Sequence, residues 1–322
     1  MQTPNRFKVA AIQHPPVFLN MAASLEKART LAEQAAANGA EVIVFPETWL
    51  PGYPVWLDFA PNAGLWDHPP AKQLYRLLVE NSLSLPGPDL AELLCLAKDV
   101  RACIVMVAHE LVRATLYNTM LFLHKNGVDF EVHRKLMPTY TERLIWGMGD
   151  GSTLSALDIE YGRLGGLICW EHWMPLARAT MHAKQETLHV AQWPMVKEMN
   201  LVASRHYAFE GQCFVVAAGC VLSKGDILSG FKSLGQRDNE GIHLLESIPG
   251  EDDDLILEGG SAIIAPNGDC LAGPIYDEAS IIYADIEPAR ITEGRLFLDT
   301  DGHYSRPDIF RLEVNSQPLM SI

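Results

Sequence analysis

The sequence predicts an α/β fold in which helices cover sheet. Two observations carry this: apolar, strand-like runs alternate with amphipathic, helix-like runs along most of the chain, and 48% of the residues are apolar, enough for a large core. At 322 residues the chain is long for one domain, yet sheet-rich single domains reach this size, and no internal repeat divides it.

Phe7 to Gln13 reads as the first strand. Ser24 to Asn38 places Leu25, Ala28, Ala32 and Ala35 on one helical face and stops at Gly39. Glu41 to Glu47 is a buried strand ended by Pro46, with Glu47 at its carboxyl end. Pro88 to Ala102 repeats the helix pattern, and Cys103 to Ala108 is a buried strand. Tyr117 to His124 and Phe130 to Lys135 flank Asn126-Gly127, a hairpin signal, and the second run alternates like a half-buried strand. Thr139-x-x-Glu142 has the spacing of a capping box. Gly147 to Gly151 has the glycines of a phosphate loop without its Gly-Lys-Ser/Thr ending. Strand-like Leu154 to Ile159 follows it where a phosphate site needs a helix, so the segment reads as a turn. Arg163 to Ile168 is a short apolar strand delivering Cys169. Pro175 to Gln185 reads as a helix, then come a strand from Leu188 to Trp193, a helix through Glu210, and a strand from Cys213 to Ala218. Gly260 to Leu271 turns at Pro266-Asn267-Gly268-Asp269. Ser223 to Glu258 is the polar, poorly periodic exception, with Glu251-Asp252-Asp253-Asp254 as a solvated acidic loop.

A formal charge of -15 argues against nucleic acid or an anionic membrane as partner, since both select basic patches. The amino terminus lacks the layout of a signal peptide and no run approaches a membrane span, so a cytoplasmic location is expected. Six cysteines form no Cys-x-x-Cys pair, the histidines form no His-Glu-x-x-His, and the acidic run lacks calcium-loop spacing. Reduced thiols and no metal are expected.

The chemistry centres on Cys169. A free cysteine on an apolar strand is commonly an inert small hydrophobe, but this one opens into Cys169-Trp170-Glu171-His172. A thiol at its ordinary pKa is only a few per cent thiolate at neutral pH, so a nucleophilic role needs a base or a cation nearby. Glu47 and Lys135 stand at the ends of two other strands and can converge on it. Taken singly, Glu47 reads as a loop carboxylate or a cap of the next segment, and Lys135 as one of three solvated cations in His133-Arg134-Lys135. The nearby aromatics Tyr53, Trp146, Trp170, Trp173 and Trp193, with Pro194, are the expected walls of a substrate pocket, and Trp56 is a further hint of aromatic lining.

The flanking sequences resemble the nitrilase superfamily of carbon-nitrogen hydrolases, and within it the nitrilase branch. The matching stretches are Phe45-Pro46-Glu47-Thr48-Trp49-Leu50-Pro51-Gly52-Tyr53-Pro54, Arg134 to Arg143 with Trp146-Gly147 after it, Cys169-Trp170-Glu171-His172, Glu210-Gly211-Gln212-Cys213-Phe214, and Gly302 to Asp308. The resemblance implies one domain over residues 1–308 with a short tail, 309–322, folded as a four-layer αββα sandwich. It makes Glu47 the general base, Lys135 the charge-stabilising cation, Cys169 the nucleophile and Glu142 a second carboxylate beside the lysine. Tryptophan after the cysteine favours attack on a carbon-nitrogen triple bond, giving a carboxylic acid and ammonia without a cofactor. An amidase or carbamoylase, or a cyanide-degrading enzyme, would use the same residues, and a thiol-bearing binding protein is the non-enzymatic rival. The expected partner is a small nitrile. The subunit should form a homodimer or larger homo-oligomer, with Pro175 to Gln185 as dimer face, and the short tail points away from long filaments.

Overall fold

The computed structural model describes residues 6–235 and 239–319. In chain order the strands are β1 Phe7–Gln13, β2 Val42–Val44, β3 Cys103–Val112, β4 Thr115–Leu123, β5 Phe130–Arg134, β6 Leu157–Ile159, β7 Gly162–Ile168, β8 Leu188–Gln192, β9 Phe214–Ala218, β10 Val221–Ser223, β11 Leu255–Ile264, β12 Cys270–Tyr276 and β13 Ser280–Ile286. The helices are α1 Met21–Ala37, α2 Trp56–Phe59, α3 Pro69–Glu80, α4 Pro88–Val100, α5 Pro175–His182, α6 Glu198–Gly211, α7 Lys224–Ser233, α8 Gly241–Glu246 and α9 Ala289–Gly294, with 3₁₀ turns at Tyr140–Leu144, Gly151–Thr153 and Cys169–Trp173.

One sheet runs β13-β1-β2-β3-β4-β5 and the other β10-β11-β9-β8-β7-β6, with β12 paired to β11. Strand alternation sorts the side chains between two cores. Val9, Ala11, Val42, Val44, Val105 and Val107 of the first sheet cluster with Leu167, Val190, Val216 and Ile263 of the second. Their neighbours Ala10, Ile12, Ile43, Ile104 and Met106 pack instead with α1, α3, α4, α7 and α8. Ala177 and Met181 of α5, with Ala203 and Tyr207 of α6, cover the second sheet. The result is a four-layer αββα sandwich. Gly166 permits the close approach of the sheets, since a Cβ there would lie 2.9 Å from Met120 Sδ and 2.7 Å from the Val190 carbonyl oxygen.

Several elements differ from the sequence expectation. α1 begins at Met21 rather than Ser24, because the Asn20 side chain accepts the Ala23 N–H at 3.1 Å and caps the helix earlier. β2 stops at Val44, so Glu47 sits in the turn beyond the strand. α3 was not anticipated; it opens on Pro69-Pro70 and buries Leu74, Leu77 and Leu78. The segment from Ser223 to Glu258 is not irregular throughout. It holds α7, capped by Ser223, and α8, whose buried Ile227, Leu228, Phe231, Leu244 and Leu245 are too few per helix to show a clear period. The acidic loop from Glu251 to Asp254 is exposed as expected. β13 also escaped the sequence reading and closes the first sheet antiparallel to β1. The described part of the tail, 309–319, has no helix or strand, and the Leu319 N–H donates to Asp150 Oδ2 at 2.7 Å. Among the described residues no helix is long and apolar enough to cross a membrane.

Candidate active site

Glu47 follows β2 and Lys135 follows β5 in the first sheet, while Cys169 follows β7 in the second. Hydrogen bonds between sheets bring these ends together: Gln192 Nε2 donates to the Phe45 carbonyl at 2.7 Å, and the Glu47 N–H donates to the Trp193 carbonyl at 3.3 Å. Within the first sheet Asn118 of β4 does the joining. Its Nδ2 donates to Glu47 Oε1 at 2.8 Å and its carbonyl accepts the Lys135 N–H at 2.9 Å.

Lys135 Nζ donates to Glu47 Oε1 at 2.8 Å and to Glu142 at 2.7 Å (Oε2) and 3.0 Å (Oε1). One oxygen of each carboxylate and Cys169 Sγ all lie within 4.8 Å of one another. All four side chains are buried. That donor set could meet a metal ion by distance alone, but the Lys135 ammonium already bonds both carboxylates and supplies the positive charge. Glu142 has two duties. It accepts the Thr139 N–H at 2.6 Å, as a helix-capping glutamate does, and it also accepts from Tyr53 OH at 3.0 Å and from Lys135.

Burial dominates the electrostatics. It pushes the Glu47 carboxyl up to about 7; Glu142 adds to the rise, while Lys135 and Asn118 oppose it. Burial also works against the Lys135 charge, but Glu47, Cys169 and Glu142 outweigh it and hold the ammonium well above its ordinary range. The Cys169 thiol is driven well up by burial and then by Glu47, against Lys135. At rest the sulfur therefore keeps its proton. Glu47 Oε2 has no hydrogen-bond partner and is free to take one.

The backbone is bent hard where these groups are presented. Cys169 has φ +56°, Thr48 +44° and Tyr140 +45°, a left-handed conformation that costs a non-glycine residue on the order of 1–3 kcal/mol. Glu171 holds the bend at Cys169. Its carboxylate accepts the Ile168 N–H at 2.6 Å, the Leu136 N–H at 2.7 Å and His133 Nε2 at 2.9 Å, tying the cysteine turn to the segment after Lys135.

The cluster opens into a cavity of about 680 Å³ lined by Tyr53, Glu142, Cys169, Trp170, Trp193 and Pro194, with Phe59, Met195, Met199 and Leu257 completing its apolar wall. Asp58, Lys197 and Glu198 add charge to that wall. Two expected wall residues do not line it. Trp146 sits behind Tyr53, ring centroids 5.9 Å apart, with its N–H given to His109 Nδ1, and Trp173 is partly exposed outside. Trp56 lines a separate cavity with Trp66 and Tyr75. The sequence reading missed Asn118, His133 and the start of α6. An Asn-Thr pair inside the apolar β4 was the available signal for the first.

The carbon-nitrogen hydrolase family profile matches residues 8–296. Nitrilase blr3397 of Bradyrhizobium diazoefficiens is 35% identical over 99% of this chain and 95% of its own length. A nitrilase of Pseudomonas syringae pv. syringae is 37% identical over 97% of this chain and 90% of its own. Among solved structures, Saccharomyces cerevisiae Nit3, described as a member of branch 10 of the nitrilase superfamily, superposes with a TM-score of 0.67 at 16% identity. That match covers 96% of this chain and 99% of Nit3.

Proposed function

We propose that this chain, which belongs to the carbon-nitrogen hydrolase family, is a nitrilase that converts an organic nitrile and two waters to a carboxylic acid and ammonia through Cys169. The observation that carries the reading is a buried, protonated thiol within 4.8 Å of a carboxylate whose pKa is raised to about 7. An ammonium bonded to that carboxylate completes the group.

Glu47 takes the Cys169 proton as sulfur attacks the nitrile carbon. A C–S bond forms, one C–N π pair moves to nitrogen, and nitrogen takes that proton from Glu47 to give a thioimidate, which leaves Glu47 ionised again. Water deprotonated by Glu47 then adds to the same carbon. Protonated nitrogen leaves as ammonia, and a second water hydrolyses the thioester to release the acid and restore the thiol. Lys135 and the backbone N–H after Cys169 stabilise the negative charge that develops in each step, an effect of several kcal/mol in such sites. The aromatic and apolar lining suits an organic substituent and gives more room than cyanide needs, which favours a nitrile over a cyanide-degrading role.

The first tetrahedral intermediate can expel ammonia or thiolate, giving acid or amide. Lys135 bonded to two carboxylates can keep nitrogen protonated, so acid should be the main product with a minor amide fraction. Product analysis over a nitrile panel tests this. Amide alone would make the enzyme hydratase-like, and hydrolysis of a small amide with no conversion of any nitrile would overturn the assignment.

A further inference from the structure

A chain of buried polar groups runs from the backbone of Cys169 into the body of the second sheet. His172 Nδ1 lies 2.8 Å from the Cys169 carbonyl oxygen, His172 Nε2 lies 3.0 Å from His189 Nε2, and His189 Nδ1 lies 2.9 Å from Glu186 Oε1. The other oxygen of Glu186 accepts from Tyr207 OH, whose ring stacks on His189 with centroids 3.6 Å apart. His172, His189, Glu186 and Tyr207 are all buried. Space for Glu186 depends on Gly165, where a Cβ would fall 1.9 Å from Oε1.

The donors in this chain can be assigned in order. A carbonyl oxygen only accepts, so His172 Nδ1 carries a hydrogen, and in a neutral ring its Nε2 is then an acceptor. His189 Nε2 must donate to it, which leaves His189 Nδ1 as an acceptor. The hydrogen between His189 Nδ1 and Glu186 Oε1 then belongs to the carboxyl group. The same proton could sit on either imidazole only by separating a carboxylate from an imidazolium in a fully buried site, which burial penalises. We infer that Glu186 is a positioning residue that holds one buried proton and, through His189 and His172, fixes the backbone of Cys169 at the bend that presents the sulfur.

The electrostatics agree. Burial raises the Glu186 carboxyl to about 8, against Tyr207, His182 and Lys184. Burial lowers His172 to about 3 and His189 well below its ordinary value, so both rings are neutral at pH 7. The other titratable groups facing the chain are His182, Glu171 and His133 near His189, Arg178 near His172, and Cys213, whose thiol burial and Glu186 hold well up. When pH rises through about 8, Glu186 loses the hydrogen it gives to His189, and the chain loses its fixed order. The alkaline limb of turnover belongs to this group, because Cys169 and Lys135 titrate well above their ordinary ranges.

The inference rests on Cys169 as nucleophile, and Glu186→Gln separates the two ideas. A glutamine amide can donate to His189 and accept from Tyr207, so it mimics the protonated acid permanently. Infrared difference spectra of wild type minus E186Q at pH 7 should show the carbonyl stretch of a protonated carboxylic acid, a readout that needs no nitrile. E186Q should keep kcat within about threefold of wild type and move the alkaline limb up by about one pH unit or more. Glu186→Ala, if folded, should lower kcat by about 10²-fold with little change in KM, the cost of roughly 1 Å of misplacement at a reacting atom. An absent carboxylic-acid band, or a folded E186Q as inactive as E186A, would overturn the inference. Failure to convert any nitrile while the band is present would instead overturn the proposed function.

Discussion

Glu47 shows how environment assigns a role to an ordinary side chain. Its carboxyl is raised to about 7, and only its ionised form can accept the thiol proton, so kcat/KM should fall as pH drops below about 7 and hold above it only up to the alkaline limb that Glu186 sets near 8. A pH–rate profile whose acid limb lies in the ordinary carboxylate range, near 4.5, would contradict this. Glu47→Gln should lower kcat by on the order of 10²–10⁴-fold, as loss of a general base does. The same shift works against stability. A carboxyl raised in the folded state contributes most below its unfolded pKa, and the contribution is lost as pH rises through about 7. Glu142 is the harder assignment, because it caps a 3₁₀ turn and bonds Lys135 at once. Glu142→Gln should lose at least tenfold in kcat while remaining folded. A stability loss of about 1 kcal/mol with near-normal kcat would reduce Glu142 to its capping role. Cys169, Glu47 and Lys135 were individually ambiguous in the sequence, and only the flanking motifs and the 2.7–3.0 Å contacts of Lys135 distinguish them from an inert thiol and two surface charges.

At the scale of elements, what the sequence revealed followed burial pattern. β1, β7, β8 and β9 lie between covered layers and read as mostly apolar runs with a polar residue at few positions, so their positions were legible to within a residue or two. α7, α8 and β13 were not, because short elements with one apolar stripe of two or three residues carry too little periodicity. The meeting of β2, β5 and β7 at one site was legible only through the motifs, since β3 and β4 lie between β2 and β5. The histidine chain behind Cys169 could not be read at all, because the turn from α5 to β8 sets it and no spacing rule foretells that. Glu171 is the test of how elements are held together, as it joins the end of β7 to the segment after β5. Burial would raise its carboxyl, yet His133 and the two backbone N–H groups hold it below its ordinary range. Glu171→Gln leaves three donors facing an uncharged amide, so chemical denaturation should show a loss of about 3 kcal/mol, as for other broken buried pairs. An unchanged denaturation midpoint would show that the turn at Cys169 is held by other contacts.

Among the described residues, α5 and α6 both leave large apolar side chains exposed on the outside of the second sheet. Leu176 of α5 is 69% exposed, and Trp173 and Met174 before it are partly exposed. Met199, Val202 and Phe209 of the neighbouring α6 are also exposed. The two helices are joined by Arg178 and His182, which both bond Glu210, at 2.8 and 3.1 Å. An exposed apolar patch is the usual mark of association, and a stable interface removes about 800 Å² from each partner. We propose that this face pairs with its copy in a second subunit, in keeping with the dimer face expected from the sequence at Pro175 to Gln185. Light scattering at micromolar concentration should therefore give at least a dimer, and Leu176→Glu should shift it toward monomer by placing an unpaired charge in the interface centre. The position of the patch gives the second readout. Trp170 lines the substrate cavity and Trp173 opens the segment leading into α5, so pairing would buttress the turn that carries Cys169. The Leu176→Glu monomer should accordingly lose activity as well as partner, and recover it as protein concentration rises. A wild-type monomer with full activity would remove the face from any role in assembly. A fully active Leu176→Glu monomer would keep the interface and show that the cysteine turn stands without it.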